Sequence, residues 1–167
     1  MIIVNIMYME PININVVDVP KYIPDIVYID YSKIPNAGLG IFAKTDIKQG
    51  TFIGNYMGEI SESESEIIYN DYIFTSYRKK GQFRIDAYDM EKSNFARFMN
   101  CCNSRENENI QPIRFVDDKR TLFTRLDKTV IDVDGYIFFF AKKDIKKDEE
   151  LLYDYGEVYR NKLGIVL

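Results

Sequence analysis

Tyr153 and Tyr155, in the stretch "LLYDYG", are two residues apart, so in an extended segment both rings face the same side, where they could wall a pocket or orient a reactive group. A second stretch, "RFMNCCNS" (97–104), sets Cys101 and Cys102 among Asn and Ser, and a third, "GLG" (38–40), lets the backbone approach a ligand or another strand closely. The chain contains no histidine. That removes Ser-His-Asp and Cys-His catalysis and every histidine metal site, leaving Asp, Glu, Lys, Tyr or Cys as any general base. Two cysteines cannot supply the roughly four N/S ligands of a structural zinc, so no metal is expected. Neither thiol has a histidine to activate it, and adjacent cysteines rarely pair because the bridge strains the intervening peptide. The two thiols therefore read as small buried side chains.

The elements that must position these residues are mostly strands. Runs at 25–31, 40–43, 51–60, 71–77, 82–88, 110–116, 120–126 and 135–141 are short, rich in β-branched and aromatic residues, and separated by Gly, Pro, Asn and Asp. Two short helices are predicted. One is "SESESEIIYND" (61–71), with serine caps and acids in its first turn, and the other is "EKSNFARFMN" (91–100), with Phe95 and Phe98 on one face. "SESESE" itself reads as a solvated helix start. No internal repeat stands out, and "SRENENIQ" (104–111) and "DDKRT" (117–121) are polar enough for surface loops. The opening "MIIVNIMYMEPININVV" lacks a basic start and is broken by Asn, Glu and Pro before the ~20 apolar residues of a membrane span, so a strand is expected there.

With 167 residues and 46% hydrophobic composition, one domain with a sizeable core is expected. The net charge of -4 offers no footprint for direct nucleic-acid binding but suits a basic peptide or protein partner. Two cysteines argue against a disulfide-built secreted fold, which makes an intracellular compartment the expectation.

Taken singly, each motif has a plain reading. The GxG of 38–40 lacks the third glycine and following helix of a dinucleotide fingerprint. Tyr56 of "NYMGE" reads as a core tyrosine, Asn100 as a residue at an unusual backbone angle, and the Tyr153/Tyr155 pair as packing. In this order and spacing, however, "GLGIFA", "YMGE", "ARFMN" and "IFFFAKKDIKKDEELLYDYG" are hard to explain as coincidences. Over roughly residues 25 to 156 the chain resembles the SET-domain protein lysine methyltransferases, in a compact form without the flanking zinc-cysteine clusters. The final motif is the specific one.

The resemblance implies a mostly β, β-clip fold of small antiparallel sheets with a knot-like C-terminal crossing and few short helices. It divides the chain into an N-terminal flanking segment (1–24), a SET domain (25–156) and a short C-terminal flank (157–167). It implies S-adenosylmethionine as cofactor, contacted by Gly38, Leu39, Gly40, Tyr72, Arg97, Phe98, Asn100 and Cys101. Tyr155 takes the position of the catalytic tyrosine, with Tyr153 and Tyr56 beside it. Tyr56, Tyr72, Tyr153, Tyr155 and Tyr159 become the aromatic walls around a substrate lysine, with the flank and Tyr159 closing the channel without metal. The implied activity is methylation of a protein lysine, with a histone tail as the first substrate expectation and the nucleus as its place, the host nucleus for a viral or intracellular-pathogen source. A Tyr at position 153 goes with a tight pocket and chiefly monomethylation. A non-histone lysine and a non-catalytic partner-binding module are the alternatives, and a homodimer is compatible with the sequence. Where the family usually reads Asn-His, this chain reads Asn100-Cys101, so the contact expected there is through backbone. The segment 104–134 looks longer than typical.

Overall fold

A computed structural model describes residues 23–61, 71–78, 81–114, 122–124, 130–132 and 136–165. In chain order the strands are β1 (Val27–Tyr31), β2 (Leu39–Ala43), β3 (Phe52–Asn55), β4 (Glu59–Ser61), β5 (Ile73–Arg78), β6 (Gly81–Asp86), β7 (Asn100–Cys101), β8 (Ile110–Arg114), β9 (Leu122–Thr124), β10 (Val130–Asp132), β11 (Ile137–Ala141) and β12 (Leu152–Tyr153). A 3-10 turn at Phe95–Phe98 and a helix α1 at Glu157–Leu163 complete the order. The expected architecture of small sheets with little helix is the one observed. No helix among the described residues is long and apolar enough to cross a membrane.

The chain divides into two compact units. The first draws on residues 56–94 and 114–137. Its antiparallel sheet, in the order β4-β6-β5, places Ile85 opposite both Ile60 and Phe74. Alternation along β6 buries Phe83 and Ile85 on one face, the period of 2 that a half-buried strand requires. The predicted strand over 51–60 is cut in two at Tyr56-Met57-Gly58. A Cβ on Gly58 would stand 2.2 Å from the carbonyl oxygen of Asp86, so only glycine lets the chain pass there.

The second unit draws on residues 21–55, 95–113 and 138–167. β1 and β2 form an antiparallel pair running from Val27 opposite Ala43 to Tyr31 opposite Leu39. β3, β11 and β8 form a three-stranded sheet in which a bulge interrupts β11 between Phe139 and Phe140. β12 lies parallel to β7, pairing Leu152 with Asn100 and Tyr153 with Cys101. The asparagine loop and the tyrosine motif thus meet although half a hundred residues separate them.

The sequence does contain a short repeat after all. Ala-Lys-x-Asp-Ile-Lys occurs at 43–48 and again at 141–146. The two copies dock reciprocally: Ile47 and Ile145 exchange backbone hydrogen bonds of 2.8 Å in both directions. Asp144 accepts from the Gln49 N–H (2.9 Å) and Lys48 Nζ (2.8 Å), while Asp46 accepts from the Lys147 N–H and Lys146 Nζ, both at 2.9 Å. A six-residue match is too short to register as a repeat until the fold brings its copies face to face.

The helix predicted over 91–100 contracts to the single 3-10 turn, because Asn100 is drawn into β7. The helix predicted over 61–71 and the strand expected near the N-terminus fall largely or wholly outside the described residues. α1 was not anticipated. Glu157 in its first turn, Arg160 and Lys162 in its last and the left-handed Gly164 at its C-cap explain why it forms and stops where it does.

The repeat generates a stability prediction. Ile145 is 1% exposed, so Ile145→Ala should cost about 2–5 kcal/mol by urea denaturation. Lys146→Ala, which removes only an exposed ion pair, should leave the urea midpoint nearly unchanged. Equal losses for the two variants would refute this division of labour.

Candidate functional site

In the second unit, the parallel β7–β12 contact puts Asn100, Cys101, Tyr153 and Tyr155 beside one another. Tyr153 is buried, its ring 5.0 Å from that of Phe139 and 4.6 Å from that of Tyr155. Tyr155 continues the ladder to Tyr159 of α1 at 4.8 Å. The same-side placement read from the two-residue spacing of Tyr153 and Tyr155 therefore holds. The Tyr155 hydroxyl donates to the Met99 carbonyl at 2.6 Å, which fixes the ring.

Asn100 is the second fixed point. Its Nδ2 donates to the Leu39 carbonyl at 2.9 Å and to Glu150 Oε1 at 3.2 Å, tying the glycine loop to β7. With both amide hydrogens turned inward, Oδ1 makes no hydrogen bond among the described residues and remains a potential acceptor. The glycine loop owes its shape to two different constraints. Gly38 has φ of 74° with open space where a Cβ would stand, whereas a Cβ on Gly40 would lie 2.4 Å from Glu150 Oε1. The first glycine is required by backbone conformation and the second by a neighbour.

Arg97 and Phe98 lie on the 3-10 turn just before Asn100, the guanidinium 5.1 Å from the Phe98 ring centre. Cys101 and Cys102 are both buried and unbridged. Burial pushes the Cys101 thiol above its usual range, and it pushes Cys102 up to about 12, helped by the nearby Cys101, Glu108 and Asp154. Held protonated by its burial, Cys102 is no nucleophile at neutral pH. The sequence reading of the thiols as small packed side chains holds.

Tyr56 and Tyr72 lie in the first unit, where the Tyr56 hydroxyl donates to the Tyr72 carbonyl at 2.6 Å. Their rings sit 5.5 Å from Phe74 and 6.1 Å from Tyr88, respectively. Sequence reasoning missed two participants. Glu150 ends the charged run "KKDEE" (146–150), yet it is 6% exposed. Asp154, between the tyrosines, forms an ion pair with Arg160 that holds α1, and hence Tyr159, in place. The only advance signal for Glu150 was its position directly before the apolar Leu151 and Leu152.

The SET domain model matches residues 38–156, and the chain belongs to that family. The chain is 31% identical over 139 residues to the histone-lysine N-methyltransferase set-17 of Caenorhabditis elegans, covering 83% of this chain and 44% of that protein. It is 34% identical over 124 residues to the mouse histone-lysine N-methyltransferase EHMT1, covering 72% and 8%. The chain thus spans less than half the length of these curated relatives. Among solved structures, the methyltransferase domain of human PR domain-containing protein 2 superimposes with a TM-score of 0.60 at 26% identity, covering 81% of this chain and 80% of that one.

The buried thiols give the site's own test. In the folded protein neither cysteine should react with iodoacetamide at pH 8, and both should react in urea. Rapid labelling of native protein would show that the β7–β12 crossing is not closed as described.

Proposed function

We propose that this chain methylates the side-chain amine of a protein lysine with S-adenosylmethionine as methyl donor. A histone tail is the proposed substrate, monomethyl-lysine the chief product and the nucleus the place of action. The observation that carries the reading is the joint placement of Tyr155, held by the Met99 carbonyl, beside Asn100, held by the glycine loop. The naming of both relatives as histone-lysine methyltransferases supports the substrate class.

The residues present fit such a donor. The open, positive-φ Gly38 leaves room against the backbone, and the outward Oδ1 of Asn100 suits a cationic amino-acid end. Gly38, Leu39, Gly40, Asn100 and the backbone of Cys101 would hold it, with Arg97 and Phe98 of the adjoining turn flanking it. When bound, S-adenosylmethionine supplies a methyl group on a positively charged sulfur. The protein's own task is to present an uncharged amine in line with that methyl, and restraint in such a geometry can contribute about 7–11 kcal/mol. The Tyr153–Tyr155–Tyr159 ladder excludes water from the amine, and desolvation beside a positive charge lowers the amine's pKa so its proton leaves to solvent. In this reading the Tyr155 oxygen orients the lone pair by accepting from one of the two N–H bonds the amine retains. No histidine is needed in this scheme. For Tyr56 and Tyr72 the assignment as lysine-binding aromatics rests on the family resemblance alone. A basic tail added as a strand beside an acidic chain would gain affinity from backbone bonds and selectivity from pockets.

One observation favours a second reading, a module that binds a partner without turnover. Cys101 stands where the family usually has histidine, and its buried side chain offers no equivalent contact. The protein incubated with labelled S-adenosylmethionine and core histones separates the two. Label on a histone lysine is expected, whereas cofactor binding without transfer would favour the module. Label on a non-histone protein instead would move the substrate proposal.

Two variants sharpen the mechanism. Tyr155→Phe should lower transfer by about a hundredfold or more while leaving S-adenosylhomocysteine affinity within about twofold; an unchanged rate would mean that the reacting atoms lie elsewhere. Mass spectrometry of the product should show chiefly monomethyl-lysine for the native protein and a shift to higher states for Tyr153→Phe. Trimethyl-lysine as the main native product would rule out the tight-pocket assignment.

A further inference from the structure

We infer that Glu150 is a positioning residue for cofactor binding, setting the orientation of the Asn100 amide; this rests on the reading just proposed. Glu150 is 6% exposed, and among the described residues no cation lies within ion-pairing distance of it. A buried carboxylate without a counter-ion is costly unless hydrogen bonds replace its hydration. Here they do. Oε1 accepts from Ser32 Oγ at 2.6 Å and from Asn100 Nδ2 at 3.2 Å, and Oε2 accepts from the Lys33 N–H at 2.9 Å.

The residue's own backbone is fixed as well. It bridges Phe42 in antiparallel fashion, and its carbonyl accepts from Asn109 Nδ2 at 2.8 Å. One carboxylate therefore joins three segments: the turn at Ser32, the glycine loop it touches at Gly40, and β7 through Asn100. Among the described residues none of its hydrogen bonds is to the aromatic ladder, so packing of the tyrosines does not explain it.

Its chemical effect follows from which hydrogens it can receive. A carboxylate only accepts, as does the Leu39 carbonyl, so the two together compel Asn100 to turn its NH2 inward and its Oδ1 outward. An outward oxygen accepts from an ammonium; an outward NH2 would repel it. Donation to a charged acceptor also polarises the amide and makes Oδ1 a stronger acceptor. Glutamine at 150 would undo this. Its NH2 either meets the Lys33 N–H, donor against donor, or faces Asn100 and allows that amide to turn over.

The test is a cycle of Glu150→Gln and Asn100→Ala in the full chain, read by calorimetry with S-adenosylhomocysteine and by steady-state kinetics. Glu150→Gln is expected to weaken S-adenosylhomocysteine and raise KM for S-adenosylmethionine by about tenfold, with kcat and the peptide KM within about twofold. In the Asn100→Ala background the same change should add little, because the residue it acts through is gone. An unchanged affinity, or an equal loss in both backgrounds, overturns the inference and leaves Glu150 merely structural. If Glu150→Gln does not fold, Glu150→Asp keeps the charge but withdraws it from Asn100, and the same loss with the same dependence on Asn100 is expected. Failure of the native protein to bind S-adenosylhomocysteine at all would instead sink the underlying reading.

Discussion

The two-residue parallel pairing of Leu152 with Asn100 and Tyr153 with Cys101 is the constraint on which the rest of the second unit depends. Parallel neighbours cannot be joined by a tight turn, so the intervening chain must leave and return. The crossing is held from both sides. The Cys102 N–H donates to the Tyr153 carbonyl at 3.0 Å, the Asn109 N–H donates to the Leu152 carbonyl at 3.1 Å, and Asn109 Oδ1 accepts from the Leu152 N–H at 2.8 Å. Asn109 is itself buried, so these bonds form away from water, where leaving a partner unsatisfied is most costly. Everything proposed about chemistry follows from this contact, because it delivers Tyr155 to Met99 and Asn100 to the glycine loop.

Much of this was legible in the sequence, for reasons that differ by residue. Tyr153 and Tyr155 could be placed on one side because strand geometry has a period of two. The strand-rich architecture followed from β-branched and aromatic runs between turn formers. Absence of histidine was decisive because it removed whole classes of mechanism at once. The Asn100 and glycine motifs gained meaning only from their order, each being commonplace in isolation.

What escaped reading was long-range or relational. Glu150 lies in a charged turn, and beyond the apolar Leu151 and Leu152 that follow it, nothing local distinguishes a carboxylate that will be buried by Ser32, Lys33 and Asn100 from one left in solvent. The Ala-Lys-x-Asp-Ile-Lys pair is six residues long, below the length at which similarity announces itself, although its reciprocal docking around Ile47 and Ile145 organises two turns. The 91–100 segment had helical spacing, but pairing of Asn100 with Leu152 overrode it after one 3-10 turn. Local propensity lost each time to a partner distant in sequence.

The central claim is that Asn100 and the glycine loop together hold the amino-acid end of the methyl donor next to Tyr155. A crystal structure of the chain with S-adenosylhomocysteine tests it most directly. The account predicts the ligand's ammonium within hydrogen-bonding distance of Asn100 Oδ1 and its backbone-facing side against Gly38 to Gly40. Density for the ligand away from both elements, with Asn100 still bound only to Leu39 and Glu150, would contradict it.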